Sequence, residues 1–107
     1  VGNDGSFIID NLINYPNPFS QQTTFEATHN RPDSELEVTV NIYNLRGQLI
    51  KSMHDRYYSS GFVIPPLIWD GSDDRGARAG QGVYPYTIKI KTPEGETATA
   101  SGRLIIL

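Results

Sequence analysis

The chain of 107 residues contains no cysteine, and this absence excludes several kinds of site at once. It can form no disulfide, no thiolate nucleophile and no cysteine-ligated zinc or iron–sulfur centre, although the compartment is left open. Only two histidines are present, and neither has a second histidine or a carboxylate at metal-ligand spacing. We therefore expect His29 and His54 to lie exposed, in a loop or at a strand end.

The chain also lacks an excess of positive charge and a long apolar run. Nine Lys and Arg residues against twelve Asp and Glu give a formal net charge of −3, and the basic residues are scattered singly. A nucleic-acid partner needs a concentrated basic surface, so none is expected. No run reaches the roughly 18 apolar residues of a membrane-spanning helix, and no signal peptide is recognisable. We expect a chain that does not span a membrane and that was excised from a longer protein.

Short segments with alternating apolar and polar residues dominate the rest of the chain. Residues 1–6, VGNDGS, are small and polar and are interpreted as a linker remnant, which leaves residues 7–107 as one domain. Helical periodicity is absent, and turn residues recur at intervals of about ten residues. The pattern predicts an all-β fold, an Ig-like antiparallel β-sandwich of about seven strands. The predicted strands are 7–13, 23–28, 36–42, 48–54, 62–69, 83–92 and 97–107.

The connections are predicted from turn chemistry. Asn44 to Gly47 favours a type I turn closed by a glycine bulge, and residues 92–95, TPEG, favour a second hairpin. Residues 56–60 are interpreted as a polar connection. Strand 62–69 contains two prolines and is expected at a sheet edge, and Pro85 is expected where its missing N–H faces solvent or a bulge.

No local signature of catalysis is present, so we predict that this chain is not an enzyme and holds no cofactor. Ser59 and Ser60 precede Gly61 without the surroundings of a nucleophile elbow. The glycines at 80 and 82 are followed by a predicted strand, whereas a phosphate-binding loop needs a helix.

The acidic loop after Trp69 is the strongest candidate for a ligand site. Asp70, Asp73 and Asp74 supply the hard oxygen atoms that Ca²⁺ prefers, but their spacing is not that of an EF-hand. The favoured alternative is that these carboxylates accept backbone N–H groups within tight turns, with arginines at 75 and 78 offsetting their charge. We therefore predict no metal, while calcium binding by this loop stays open.

Three aromatic side chains could mark either the core or a binding surface. Trp69 ends an inward-alternating strand and is expected to fill one end of the core rather than to stack on a sugar. Tyr57 and Tyr58 are adjacent in a strand-like segment, so at least one of them should be exposed and could mark a contact surface.

Three ordered motifs carry a family resemblance. The segment from Trp69 to Lys91, WDGSDDRGARAGQGVYPYTIKIK, follows the pattern W-D-G-x-D-x-x-G…G-V-Y, and NYPNPF at 14–19 and IYNLRGQL at 42–49 precede it. The chain thereby resembles the Ig-like C-terminal module that the flagellar hook-capping protein shares with the type IX secretion sorting domains of Bacteroidota. It departs from the family pattern at Pro85. The family-motif residues, expected to be structural, are Asn17, Pro18, Phe19, Gly47, Trp69, Asp70, Gly71, Asp73, Gly76, Gly82 and Tyr84.

The resemblance implies a function. It implies a non-catalytic C-terminal domain that directs or anchors a parent protein through type IX secretion, by way of the periplasm, to the outer-membrane surface or the medium. The partners it implies are the translocon and the sortase machinery. The chain is also similar to the end domain of the cell-surface sortase of this system, a gingipain-like peptidase. The residues that the resemblance nominates for recognition by the translocon are Arg103, Leu104, Ile105, Ile106 and Leu107.

Two other functions are kept as alternatives. One is a structural Ig-like module of a hook-capping protein, and the other is a carbohydrate-binding accessory domain, which would need exposed coplanar aromatic rings. Self-association through edge strands is a further possibility. Whether the domain is cleaved from its parent or retained is left open.

Overall fold

The structure, a computed structural model, describes residues 6–107 and contains seven strands and no helix in that range. The predicted linker, except for Ser6, lies outside the described residues. The strands are β1 (Ile9–Tyr15), β2 (Thr23–His29), β3 (Ser34–Tyr43), β4 (Leu49–Ser59), β5 (Leu67–Trp69), β6 (Gly82–Lys91) and β7 (Thr97–Ile106).

The strands form two sheets that pack face to face. One sheet has three strands in the order β1-β2-β5, the other has four in the order β4-β3-β6-β7, and all neighbouring strands are antiparallel. The predicted all-β sandwich of about seven strands is therefore confirmed. Among residues 6–107 there is no helix with the length and apolar character needed to cross a membrane.

Alternation along the central strands builds the core. In β3 the four inward side chains from Leu36 to Ile42 are fully buried, and the polar residues between them face outward. β6 contributes Tyr86, whose ring meets the edge of Phe25 from the opposite sheet at a centroid distance of 4.8 Å. The two sheets thus share one apolar interior. Its buried members are Phe19, Phe25, Ala27, Leu36, Val38, Val40, Ile42, Ile64, Leu67, Trp69, Tyr84, Tyr86, Ile88, Ile90, Leu104 and Ile106.

Both predicted hairpin turns are present. The Gly47 N–H donates to the Asn44 carbonyl at 3.0 Å, the Asn44 N–H donates to the Gln48 carbonyl at 3.0 Å, and Gly47 has a φ of +83°. This is the geometry of a type I turn followed by a glycine in left-handed backbone. The Thr92–Glu96 turn repeats the arrangement, with Gly95 at a φ of +91°.

The β4 strand corrects one prediction. Residues 56–60 were expected to form a polar connection, but the pairing of β4 with β3 continues to Ser59, opposite Ser34. The prediction was wrong because side chains on the outer face of a sheet are as polar as those of a loop. The ladder of backbone bonds to β3 holds this segment extended, irrespective of its polarity.

Proline placement agrees with the constraints of a sheet. Strand β5 lies at a sheet edge, as expected, but it covers only Leu67–Trp69 of the predicted 62–69, because it begins only after Pro65 and Pro66, which cannot donate a backbone hydrogen bond. Pro85 lies within β6, one residue outside the β3–β6 pairing, which starts at Tyr86 opposite Ile42. Its missing N–H therefore costs no bond between these strands.

Candidate functional site

The terminal strand β7 lies at one edge of the four-stranded sheet. All ten of its residues pair with β6, from Thr97 opposite Lys91 to Ile106 opposite Gly82, with no shift of register. Alternation divides the five residues nominated for recognition. Leu104 and Ile106 are 0% and 2% exposed and belong to the core, whereas Ile105 is 39% exposed and Leu107 66% exposed. Arg103 also faces solvent.

The segment between β1 and β2 covers the outer edge of this strand. The side-chain amide of Asn17 donates to the Arg103 carbonyl at 3.0 Å and accepts the Ile105 N–H at 3.0 Å. Phe19 continues the contact, because its N–H donates to the Ile105 carbonyl at 3.0 Å and its carbonyl accepts the Leu107 N–H at 2.8 Å. The Asn17 amide thus replaces one peptide group of a neighbouring strand. We call residues 17–19 the edge cap.

A buried network of hydrogen bonds supports the edge cap from inside. The Asn14 amide donates to Thr23 Oγ1 at 3.2 Å, and its oxygen accepts from Asn17 Nδ2 at 3.3 Å and from the Tyr86 hydroxyl at 3.1 Å. Thr23 Oγ1 in turn donates to the Pro16 carbonyl at 2.8 Å. Burial raises the pKa of Tyr86 to about 12, so its hydroxyl keeps the proton it donates. The network joins β1, β2 and β6 to the segment that holds β7.

Asn17, Pro18 and Phe19 of the NYPNPF segment were expected to be structural, but the contact of this segment with β7 was not foreseen. Asn17 and Arg103 are 86 residues apart, and no local pattern relates them. The family motif placed Asn17 among the structural residues without indicating its partner.

Removal of the Asn17 amide is expected to loosen β7. Asn17→Ala leaves the Arg103 carbonyl and the Ile105 N–H without their partner, so we expect the free energy of unfolding to fall by about 1 to 3 kcal/mol. Urea unfolding measures this change, and hydrogen exchange at the Ile105 amide should accelerate. Asn30→Ala, which removes side-chain bonds to the exposed Ile8 N–H and to the Ser6 carbonyl, away from β7, is the control. An equal effect of both substitutions would contradict the role of the edge cap.

Trp69 lies next to the edge cap and closes the same end of the core. It is 1% exposed, and its ring meets Phe19 at 5.8 Å and Tyr84 at 6.4 Å, both edge to face. Its Nε1 donates to the Ser72 carbonyl at 2.8 Å, which satisfies the polar atom of the ring. The placement is that of a core side chain, which leaves no ring face free for a sugar.

The acidic loop uses its carboxylates internally. Asp70 Oδ1 accepts the N–H and the hydroxyl of Ser72 at 2.9 and 2.6 Å, and these bonds lower the pKa of Asp70. Asp73 Oδ1 accepts the N–H groups of Arg75 and Ala77, both at 2.9 Å. Asp74 meets the outer edge of β4 instead, where its Oδ1 accepts the Ser52 N–H at 3.3 Å. Among residues 6–107, no group of three or more metal-ligating side chains is close enough to hold an ion.

Arg78 corrects part of the prediction for this loop. It was expected to offset the aspartate charge, but its guanidinium donates to the backbone carbonyls of Asp70, Ser20 and Gln21. Gly71 allows this approach, because a Cβ there would lie 2.7 Å from Arg78 Nη1. Arg78 therefore ties the acidic loop to the residues that follow the edge cap.

His29 is buried, which contradicts the expectation that it is exposed. It is 4% exposed, at the end of β2, and its Nε2 lies 2.8 Å from Ser59 Oγ. The prediction was wrong because β4 runs on to Ser59 and covers this end of β2. His54 is exposed, as expected, with its Nδ1 3.0 Å from Thr39 Oγ1.

The hydrogen bond in the buried His29–Ser59 pair runs in the wrong direction for a hydrolase. The backbone N–H of Arg31 donates to His29 Nδ1 at 3.0 Å, so Nδ1 carries no proton and Nε2–H is the donor toward Ser59. A catalytic histidine must instead accept the serine proton. Ser59 Oγ lies 3.1 and 3.2 Å from the carbonyls of Gly61 and Val63, to which it donates its own proton. The pair therefore fastens β2 to the end of β4.

Stability is expected to decrease in mildly acidic solution because of His29. Burial lowers its pKa below 6.5, so the unfolded chain binds the proton more readily than the folded one. The stabilisation is complete above the unfolded pKa and is lost as the pH falls toward the folded pKa. Thermal unfolding of the chain and of His29→Gln across this window measures the difference. The loss of stability at acidic pH should disappear in His29→Gln and persist in His54→Gln. If it persisted in His29→Gln, His29 would not be its cause.

The two adjacent tyrosines face opposite sides, as expected. Tyr58 is 63% exposed on the outer face, whereas Tyr57 packs against the core. With Trp69 buried as well, these rings form no exposed coplanar platform, which counts against a carbohydrate-binding domain.

The fold is an Ig-like β-sandwich with a capped edge on strand β7, and comparisons show which proteins it resembles. The model for the secretion system C-terminal sorting domain matches residues 14–60. A crystal structure of dimeric latent PorU from Porphyromonas gingivalis is 33% identical, with a TM-score of 0.82, and the match covers 100% of this chain and 10% of PorU. These findings confirm the predicted resemblance to the type IX sorting domains. This chain spans about a tenth of the PorU chain.

Two further structures share the fold alone. FlgD from Xanthomonas campestris, a hook-capping protein, is 18% identical with a TM-score of 0.60, over 94% of this chain and 67% of FlgD. A β-glucuronidase from Parabacteroides merdae is 13% identical with a TM-score of 0.63, over 94% of this chain and 14% of the enzyme. No curated protein sequence matches the chain significantly. The match of the sorting-domain model and the higher identity to PorU favour the sorting function over the hook-cap alternative.

Proposed function

We propose that residues 7–107 form the C-terminal module of a longer exported protein and carry that protein through type IX secretion to the outer-membrane surface. The observation that carries this proposal is the 33% identity to PorU along the whole of this chain. The parent protein supplies any catalytic activity, as a gingipain-like peptidase would, and this module supplies the sorting signal. Transit through the periplasm, where the sandwich folds, belongs to the same proposal.

The recognition surface is the exposed side of the terminal strand. Arg103 and Ile105 project from β7 into solvent beside the edge cap, and Leu107 does so directly after the strand ends. Together they present one positive charge and two apolar side chains. Leu104 and Ile106 act by holding the strand in the core. The translocon would therefore read three alternate residues of a strand that is already folded.

The outer backbone edge of this part of β7 is occupied by the edge cap. The Arg103 carbonyl, the Ile105 N–H and carbonyl and the Leu107 N–H all have partners in residues 17–19. Recognition of the folded domain would therefore rest on side chains, since these main-chain groups are already paired. A sorting signal on this strand would then need the intact sandwich.

A non-catalytic role is supported by the chemistry of the described residues. The one buried histidine donates its Nε2 proton to Ser59 and cannot act as a base toward it. The carboxylates of Asp70 and Asp73 accept backbone N–H groups in turns.

A reporter fusion tests the proposal. The domain is joined to the C-terminus of a fluorescent protein that bears a signal peptide, and the fusion is expressed in a host with type IX secretion. We expect the reporter at the cell surface, and we expect removal of residues 104–107 to retain it in the periplasm. The mass of the surface product then shows whether the domain is cleaved or kept. Periplasmic retention of the intact fusion would overturn the proposal.

A further inference from the structure

Four strands lie at sheet edges, and three of them are protected against pairing with another chain. β1 has a register shift after Asp10, and β5 is three residues long and follows two prolines. The outer edge of β4 meets Asp74, which bonds the Ile50 carbonyl and the Ser52 N–H, and charged residues follow along the strand. Bulges, prolines and charges are the usual protection of sheet edges in soluble proteins.

The fourth edge strand, β7, is protected along only half of its length. The edge cap covers it from Arg103 to Leu107. From Thr97 to Ser101 the sequence is TATAS, without charge or proline, and the pairing with β6 is free of bulges. Within residues 6–107, no strand or side chain bonds this stretch of the outer edge.

The unpaired backbone groups belong to alternate residues. The Arg103 carbonyl and the Ile105 N–H point away from β6, toward Asn17. Because the direction alternates along an antiparallel strand, Thr97, Thr99 and Ser101 also direct their N–H and C=O groups outward. Donors and acceptors at this spacing match an extended peptide backbone.

Two lysines on the same outer face give this edge a charge preference. Lys91 and Lys89 are the register partners of Thr97 and Thr99 on the neighbouring strand, and both are exposed. Neither forms an ion pair with a carboxylate of the described residues. An added strand would lie two strand spacings away, roughly 10 Å, and its outward side chains would fall in the same rows. Glutamate side chains there could meet the extended lysines.

We propose that the Thr97–Ser101 edge binds an extended segment of a partner protein by strand addition, and that acidic side chains occupy the outward positions of that segment. The backbone bonds supply affinity and the two lysines supply selectivity. Strand addition here does not depend on the secretion route proposed above.

The probe is a capped synthetic heptapeptide of alternating valine and glutamate, compared with one in which lysine replaces glutamate. Titration followed by NMR should show slower hydrogen exchange at the amides of Thr97, Thr99 and Ser101, and tighter binding of the glutamate peptide. Exchanging Lys89 and Lys91 for glutamate should reverse the preference.

Proline substitution provides the matched variants. Thr99→Pro removes an outward N–H and leaves the β6 pairing intact, so binding should be lost while the fold is retained, whereas Thr99→Val should bind normally. Equal affinity for the glutamate and the lysine peptide would contradict the proposed preference for acidic side chains in the partner. Protection that grows with protein concentration and vanishes in Thr99→Pro would assign the edge to a second copy of the chain. Absence of binding by the folded protein would overturn strand addition itself.

Discussion

Trp69→Ala is expected to lower the free energy of unfolding by about 3 to 5 kcal/mol, the range for removing a large buried aromatic ring. The ring is 1% exposed and packs edge to face on Phe19 and Tyr84, so its loss opens a cavity between the edge cap and β6. The Ser72 carbonyl also loses its indole donor. Thermal or urea unfolding measures the change.

The neighbouring residue provides a control for this prediction. Ile68 lies on the same short strand but is 58% exposed, so Ile68→Ala should change the stability by only about 0.5 kcal/mol. Trp69→Phe should recover part of the loss, because a smaller ring still fills some of the space. An unchanged melting temperature of Trp69→Ala would exclude a core role for this ring.

Replacement of the three exposed residues of the terminal strand is expected to abolish surface delivery without unfolding the domain. In the reporter fusion, Arg103→Ser, Ile105→Ser and Leu107→Ser are combined. These side chains face solvent, whereas the backbone bonds of β7 to β6 and to the edge cap remain. The surface signal should fall to that of a reporter without the domain, while the unfolding temperature of the purified domain stays close to its original value.

A second triple variant separates recognition from general loss of apolar surface. Ile13, Tyr15 and Ile68 are 51%, 72% and 58% exposed on the other sheet, and their combined replacement by serine should leave delivery intact. Leu104→Ala gives the opposite control, since loss of this core side chain should reduce both stability and delivery. If the reporter fusion with the three serine substitutions at 103, 105 and 107 were delivered normally, the recognition surface would have to lie elsewhere on the domain.

Local rules predicted much of the fold. The alternation from Leu36 to Ile42, the glycine turn at Gly47 and the acidic turns after Trp69 are each determined by residues within a few positions of one another. Such signals agree with one another here, which is why the sandwich could be recognised from the sequence.

Long-range contacts account for what the sequence did not show. The polar end of β4 is a strand because β3 pairs with it, and the same extension buries His29. Arg78 binds carbonyls 57 and 58 residues away rather than the nearby carboxylates. The bond from Asn17 to Arg103 spans 86 residues, so the relation between the NYPNPF motif and the terminal strand appears only in the folded chain.

The most direct test of the sorting function compares one fusion in two hosts. The signal-peptide reporter carrying this domain is expressed in a strain with type IX secretion and in the same strain without its outer-membrane translocon. We predict surface fluorescence in the first strain and full-length fusion in the periplasm of the second. Surface fluorescence in both strains would contradict the account, because the domain would then leave the cell by another route.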